Sequence, residues 1–521
     1  MRRNTALCVL VVIALGAMAF RLPRLGLRPM HSDEAVHADK TWELWARHTY
    51  TYDPNEYHGP TLYYAALPSI LLSGAKSFAD TTEATYRIVP AVFGAGLVVL
   101  VWLFADGIGW PSALVAGVLF AISPALVYYS RYYIQETLLA FFTVAAIGAG
   151  WRYWRTRRLA WCLATGAALG LMHATKETCV LAYAAMAGAL ALTAMWSRMV
   201  QHKPLGIRGR IAGRHVVGGV LVGALLSFFF LSGGFTNMRG PLDSFAAYAP
   251  WGSRAEGQTV HVHPWSYYLR MLLYTRYPHG HVWSEGLIVG LAALGGLFAM
   301  RPQGVPGRMP SAGLVRYVAF FTLLLTAFYS AVPYKTPWCV LSFLAGMVLL
   351  AGVGTVGSVM RVPGRALKAV ACALLVVGAG HLVRQAYAAS YVLYADRGNP
   401  YVYAHPVPDV LRLAAKVADI ARADPHRHAM VIKVLSVDNY YWPIPWYLRS
   451  FQNVGYWVGM PSDPAAPVVI ASSELDQELT KRLDPTHLMI GYFQLRPSVF
   501  YEVWVSMDLW RAYLKLPHRV D

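Results

Sequence analysis

The sequence predicts an α-helical polytopic membrane protein of about eleven transmembrane helices, followed by a small extracytoplasmic α/β domain. Three observations carry this. The 521 residues are 56% hydrophobic and only 14% charged, with 17 Trp, 32 Tyr and 20 Phe, which is not the balance of a soluble protein. Apolar stretches of spanning length recur through the first three quarters, each long enough at helical rise to cross about 30 Å of hydrocarbon. The basic residues gather in every second loop, as the positive-inside pattern requires.

Taken in order, eleven apolar runs cover approximately residues 6–20, 85–105, 112–130, 137–151, 160–173, 178–196, 216–235, 285–300, 317–332, 338–357 and 369–389. Arg2 and Arg3 precede the first. Arg152, Arg155, Arg157 and Arg158 follow the fourth, and Arg198, Lys203, Arg208, Arg210 and Arg214 follow the sixth. Arg301, Arg308 and Arg316, then Arg361, Arg365 and Lys368, continue the same side. This places the N-terminus in the cytoplasm and, after an odd number of spans, the C-terminus outside the plasma (inner) membrane. The first run has a second reading, because Arg2-Arg3, a short apolar core and Ala17-Met18-Ala19 also fit a cleavable signal peptide. Its place in a multi-span chain favours a retained anchor, and either reading leaves Asp33 outside.

The membrane domain is therefore expected over residues 1–389, with large outer loops at 21–84 and 236–284. Beyond Ser390 the spanning runs stop and charges rise. "VPDVLRLAAKVADIARAD" has helical periodicity, while "HAMVIKVLS" and "APVVIASS" resemble buried strands, so residues 390–521 read as an α/β domain. Its densest aromatic cluster, Tyr440, Trp442, Trp446 and Tyr447, reads first as domain core and second as a surface for acceptor or partner.

Composition also excludes functions. The net charge of +18 is spread over alternate loops instead of one accessible face, which argues against nucleic acid as a partner. The five cysteines fall in or beside predicted spans and give neither a disulfide framework nor a zinc spacing.

With topology set, the outer turns hold an unusual set of ionisable residues. Asp33 and Glu34 follow the first span, Arg131 and Glu136 lie between the third and fourth, His173, Lys176 and Glu177 between the fifth and sixth, and Lys335 between the ninth and tenth. Such groups at the edge of hydrocarbon are costly unless they pair, snorkel or face a water-filled cavity, so the collection is a candidate site, with interfacial anchoring as its bland alternative. A lipid-phosphate sugar donor suits it. The leaving group is anionic and sits in the headgroup layer, and its displacement needs positive charge there plus a base for the incoming nucleophile.

The same residues carry a resemblance. Asp33-Glu34 resembles the diacidic motif of membrane glycosyltransferases with the GT-C fold, the protein O-mannosyltransferase and aminoarabinose transferase superfamily. "SRYYIQE" is similar to their second outer-loop motif, with Glu136 where an Asp is more usual. "HATKE" resembles their Lys-bearing turn, and "HGPTLYY", His58 to Tyr64, their Pro-Leu-Tyr segment. Through "HSDEAVHA", "HGP" and "KTPW" the chain is most similar to a prokaryotic group associated with flippase activity.

The resemblance implies transfer of a sugar from a polyprenyl-phosphate-linked donor to an extracytoplasmic acceptor, a glycan, lipid or protein, with membrane lipids as surroundings. It implies Asp33 as the base for the acceptor hydroxyl, with Glu34 and Glu136 orienting it or holding a divalent ion. Arg131, Lys176 and Lys335 would face the donor phosphate, and His58, Tyr63 and His173 the substrate or acceptor. Partial desolvation at the membrane edge would raise the basicity of Asp33. The cofactor is left unknown. A divalent metal would draw on Glu34 with His261, His263, His279 and His281, although His-x-His in a loop is more often hydrogen-bonded than ligating. Two other functions stay open: a non-catalytic lipid-linked sugar flippase, for which no half-to-half symmetry is found, and a scaffold in polysaccharide assembly.

Overall fold

The computed structural model describes residues 3–55, 58–202, 211–249, 252, 261–277, 280–301, 311–438 and 440–517. Each of the expected apolar runs is a helix: Arg3–Arg21, Glu83–Leu100, Trp110–Ile122 with its continuation Pro124–Tyr129, Glu136–Thr156, Leu159–His173, Cys179–Met199, Gly213–Leu231, Gly286–Ala299, Ala312–Ala331, Val340–Arg361 and Arg365–Tyr387. Among the described residues, seven helical segments are long and apolar enough to span a bilayer by themselves, while Trp110–Ile122, Leu159–His173 and Gly286–Ala299 are shorter. The chain is a multi-pass membrane protein.

Burial sorts these helices by role. The segment Pro337–Arg361 has 89% of its apolar window buried and forms the hub, as expected for a helix apolar all round inside a bundle. Arg365–Val392, at 6%, lies at the periphery with its apolar surface free for lipid.

One seam needs glycine. Gly166 and Gly170 on Leu159–His173 face Gly219 and Gly223 on Gly213–Leu231, a small-xxx-small repeat on both partners. A Cβ at Gly166 would lie 1.9 Å from the Gly219 carbonyl oxygen, and one at Gly170 would lie 2.1 Å from that of Gly223. Gly166→Val is therefore expected to destabilise by about 3 kcal/mol or more, at or beyond the upper end of overpacking penalties, because backbone cannot swing aside. A thermal melt in detergent checks this, and an unshifted transition would show that the two helices separate without cost.

The segment 21–84, between the first two long apolar helices, carries helices of its own. It contains an amphipathic helix, Ser32–Arg47, and an apolar one, Thr61–Ser73, neither of which the run-length reading separates. Ser32–Arg47 starts where His31 accepts from the Asp33 backbone N–H and Glu34 reaches back to the His31 N–H, a capping box that fixes the direction of the first turn.

The C-terminal unit is a five-stranded mixed sheet in the order Asn453–Val458, Val431–Ser436, Val468–Ser472, Val499–Ser506, His487–Arg496. The first three strands are parallel and the last two antiparallel. Helix Asp409–Ala421 covers one face with Val410, Leu413, Val417 and Ile420, a single apolar stripe at helical spacing. The stretch between Tyr387 and Asp409 packs on the membrane domain, where the Tyr129 hydroxyl donates to the Tyr401 carbonyl at 2.8 Å and the Tyr401 hydroxyl to buried Glu285 at 2.9 Å.

The aromatic cluster does more than fill a core. Trp446 Nε1 donates to Glu83 at 2.9 Å, the Met30 N–H donates to the Tyr447 hydroxyl at 2.8 Å, and Ser32 Oγ donates to the Trp442 carbonyl at 3.0 Å. The last two bonds seat the α/β unit on the segment that carries Asp33, and the first ties it to the start of Glu83–Leu100.

Candidate active site

Four helices begin around one cavity of about 550 Å³. Asp33 sits in the first turn of Ser32–Arg47, and Glu136 opens Glu136–Thr156. Lys176 and Glu177 form the turn before Cys179–Met199, and Thr336 and Trp338 lie just before Val340–Arg361. All of them line the cavity, together with His58, His37 and an apolar wall that includes Val36, Ile134 and Leu181. Helix N-termini carry partial positive charge, so their convergence favours carboxylates and a phosphate here.

Of these acids Asp33 is the open one. Its side chain keeps 47% of its surface accessible, and that surface lies within the cavity. Burial by the surrounding protein pushes its pKa up, but His31, His37, His58 and Lys176 outweigh burial and hold the carboxyl below its usual value. The raised basicity expected from desolvation is thus reversed by its neighbours. Asp33 is ionised at neutral pH. His31 and His37 are themselves held below the usual histidine value, chiefly by burial, His37 to about 3.

Glu136 and Lys176 form a buried ion pair through Glu136 Oε1, while Oε2 has no partner among the described residues. Burial disfavours the Lys176 ammonium, yet the adjacent Glu136 carboxylate more than compensates and raises its pKa. Across the cavity, His58 Nδ1 lies 2.8 Å from Glu177 Oε2, whose other oxygen accepts from the Tyr52 hydroxyl at 2.9 Å. A carboxylate beside Nδ1 fixes the proton there, the usual way an acid orients an imidazole. Burial pushes Glu177 up, but His58 and its hydrogen bond bring the net value below the ordinary carboxylate range. Glu177 was part of the ionisable collection expected at the outer turns, without a role of its own, while Tyr52 was not expected there.

The other expected residues lie elsewhere, each for a physical reason. Glu34 is wholly buried and faces away from the cavity. It accepts from Arg87 Nε and Nη2, both at 2.7 Å, from Arg28 at 3.3 Å and from the Tyr133 N–H at 2.8 Å, and although burial opposes it, these cations hold its pKa at about 2. Arg131 gives its guanidinium to the carbonyls of Arg21, Pro23 (2.8 Å) and Arg24 (3.1 Å), the orphan acceptors after the first helix, and to the Tyr391 hydroxyl at 2.9 Å. Lys335 closes the end of Ala312–Ala331 in the same way, on the Val332 carbonyl and on that of His263 at 3.2 Å. Tyr63 is buried with its hydroxyl 3.0 Å from His37 Nδ1, and His173 Nδ1 lies 2.6 Å from Ser227 Oγ.

The metal candidates do not converge. His261 Nδ1 lies 2.5 Å from the Tyr403 hydroxyl, His263 stacks on Tyr267 with centroids 4.3 Å apart, and His281 sits edge-on to Trp283. His279 lies outside the described residues. Among the described residues no three His, Cys, Asp or Glu side chains form a metal-holding group. Glu34 is consumed by arginine, so among the described residues it is not free to join these histidines around a divalent ion.

Comparison with known proteins adds to this geometry. The model of the dolichyl-phosphate-mannose-protein mannosyltransferase family matches residues 11–235. Apo ArnT from Cupriavidus metallidurans aligns with a TM-score of 0.65 at 15% identity, over 96% of this chain and 98% of its own. The chain has the GT-C fold. The same ArnT bound to undecaprenyl phosphate aligns at 0.63 and 16% identity, over 98% of this GT-C chain and 99% of its own. The Archaeoglobus fulgidus oligosaccharyltransferase, tethered with an acceptor peptide containing the NVT sequon, aligns at 0.57 and 12% identity, over 98% and 77%. No curated protein matches the GT-C chain by direct sequence comparison.

Proposed function

We propose that this chain is a membrane glycosyltransferase that moves a sugar from a polyprenyl-phosphate-linked donor to the hydroxyl of an extracytoplasmic acceptor, a glycan, lipid or protein. The observation that carries this is one cavity holding both an open, ionised carboxylate, Asp33, and a buried lysine, Lys176, with each residue at or just before the N-terminal end of a helix. The match to the mannosyltransferase model and the ArnT structure with undecaprenyl phosphate support the donor class, and the oligosaccharyltransferase with its peptide supports an acceptor.

In this reading the acceptor oxygen attacks the anomeric carbon while the bond from that carbon to the phosphate oxygen breaks. Asp33 takes the hydroxyl proton, which becomes acidic only as the new bond forms, so a carboxylate of low pKa suffices in the transition state. The polyprenyl phosphate leaves with the electron pair, and Lys176 with the helix N-termini stabilises its charge. Glu136 holds Lys176 in place. His58, oriented by Glu177, binds the acceptor hydroxyl. No step is routed through a metal. Arg131 and Lys335 serve helix ends, and among the described residues that line the cavity Lys176 is the cation placed to meet the phosphate.

Lys176→Ala is therefore expected to weaken donor-lipid binding by about 10- to 100-fold, the equivalent of one charge-assisted hydrogen bond. Affinity for a polyprenyl-phosphate sugar in nanodiscs measures it, and unchanged binding would move the phosphate elsewhere. The reading also requires orientation in the plasma membrane with the N-terminus cytoplasmic. A reporter after Asp521 should be active only outside and one near Arg210 only in the cytoplasm, and the reverse of either would put the cavity on the wrong side. Mass spectrometry of lipid copurifying with the protein tests the donor class. A polyprenyl-phosphate sugar is expected, and a lipid whose glycan has no phosphate linkage would overturn that class.

A further inference from the structure

A second cavity, of about 200 Å³, lies where the α/β unit meets the membrane domain. Its lining includes Asp39, Phe78, Trp442, Leu448, Arg449 and Tyr456. Asp39 is on the same helix as Asp33, six residues on. That is about 9 Å along the axis and about 240° round it, so the two acids face different cavities.

Two polar groups in this lining lack partners. The Asp39 carboxylate accepts no hydrogen bond and forms no ion pair among the described residues. Burial, with Glu43 adding to it, holds its pKa above the usual carboxylate value. Arg449 is fixed by bonds from Nη1 to the Trp446 carbonyl at 2.5 Å and from Nη2 to the Thr81 carbonyl at 2.7 Å, and it packs 3.7 Å over the Trp446 ring. Its Nε–H is buried with no partner among the described residues. A buried donor without an acceptor costs about 1–3 kcal/mol, which a ligand or a water would recover.

The chemistry of the walls narrows the ligand. An anion would meet the Asp39 carboxylate and a cation would meet Arg449, so the ligand is neutral overall. It must offer donors to Asp39 and an acceptor to Arg449 while laying an apolar face on Phe78, Trp442 or Tyr456. The volume is below the roughly 300–1,000 Å³ of drug-sized sites and suits one ring. We infer that this interdomain cavity binds a single neutral saccharide unit, whose hydroxyls serve both polar groups and whose C–H face stacks on the aromatic wall. This goes beyond the transfer reaction, and because its readout is binding it stands or falls separately from it.

The test uses full-length protein in nanodiscs and four probes: methyl α-mannoside, methyl β-glucoside, methyl β-galactoside and N-acetylglucosamine. Saturation-transfer NMR, with tryptophan fluorescence for affinity, is expected to show saturable binding of at least one. Asp39→Asn and Trp442→Leu should each weaken that binding about tenfold or more, by loss of a charge-assisted hydrogen bond and of the stacking face, while Asp33→Asn leaves it unchanged. Should Trp442→Leu fail to fold, the isosteric Asp39→Asn decides alone. No saturable binding by any probe, binding indifferent to Asp39→Asn, or binding of glycylglycine in place of the glycosides would each overturn the inference, the last assigning the cavity to a peptide.

Discussion

Asp33→Asn is expected to lower sugar transfer by at least about a hundredfold, the lower end of what a positioned general base contributes, while leaving the fold and donor-lipid affinity nearly intact. The amide keeps the shape of the carboxylate and accepts the capping geometry at the helix start, where it is the backbone N–H and not the side chain that bonds His31. What it loses is the capacity to take a proton. Single-turnover rate and donor affinity measured on the same preparation separate the two effects. A near-normal rate would remove Asp33 from the chemistry and leave the cavity as a binding site only.

The second large effect is on stability and falls on the adjacent acid. Glu34→Ala is expected to destabilise by about 3–5 kcal/mol, because it leaves the buried guanidiniums of Arg87 and Arg28 without their counter-ion. Glu34→Gln should cost less, since the amide oxygen still accepts one of the arginine bonds. The same site sets a pH response. The arginines hold Glu34 at about 2 in the folded protein, below the ordinary glutamate value of 4.5, so its stabilisation is complete above about pH 4.5 and is lost as pH falls toward 2. Thermal melts of wild type and Glu34→Gln across that window should converge on acidification. Parallel curves at all pH values would show that Glu34 is not the titrating anchor.

Asp33 and Glu34 are neighbours in the chain and look equivalent there, but consecutive helical residues point about 100° apart. One enters the cavity and the other the core, and only the capping box at His31 decides which. Arg131 and Lys335 show a related limit. A helix end offers carbonyl oxygens and a donor lipid offers phosphate oxygens, and a cation in an outer turn suits both. Arg131 takes the carbonyls at Arg21, Pro23 and Arg24, and Arg21 in turn closes Trp110–Ile122 on the carbonyls of Phe120 and Ala121 at 2.8 and 3.0 Å.

What was legible rested on strong local signals. Long apolar runs marked the spanning helices, and alternation of charge across loops ordered them. Arg87 was within reach of the same logic, because a single cation inside the run 85–105 demands a buried acid. Its partner could not be named without the turn that brings Glu34 back to it. Helices Ser32–Arg47 and Thr61–Ser73 escaped because one is amphipathic and the other too short to span. The interdomain cavity is invisible to local pattern altogether, since Asp39 and Arg449 are more than four hundred residues apart in the chain.

The central claim is chemical, that a sugar leaves its lipid phosphate in the cavity around Asp33 and Lys176. The most direct measurement follows a labelled polyprenyl-phosphate sugar incubated with the protein in nanodiscs and an envelope extract as acceptor source, by chromatography of the lipid. The account predicts that the sugar label leaves the lipid, that free polyprenyl phosphate accumulates in equal amount, and that Asp33→Asn stops both. A donor that crosses the bilayer with its sugar still attached, equally well in wild type and Asp33→Asn, would contradict it and make the protein a carrier of the lipid.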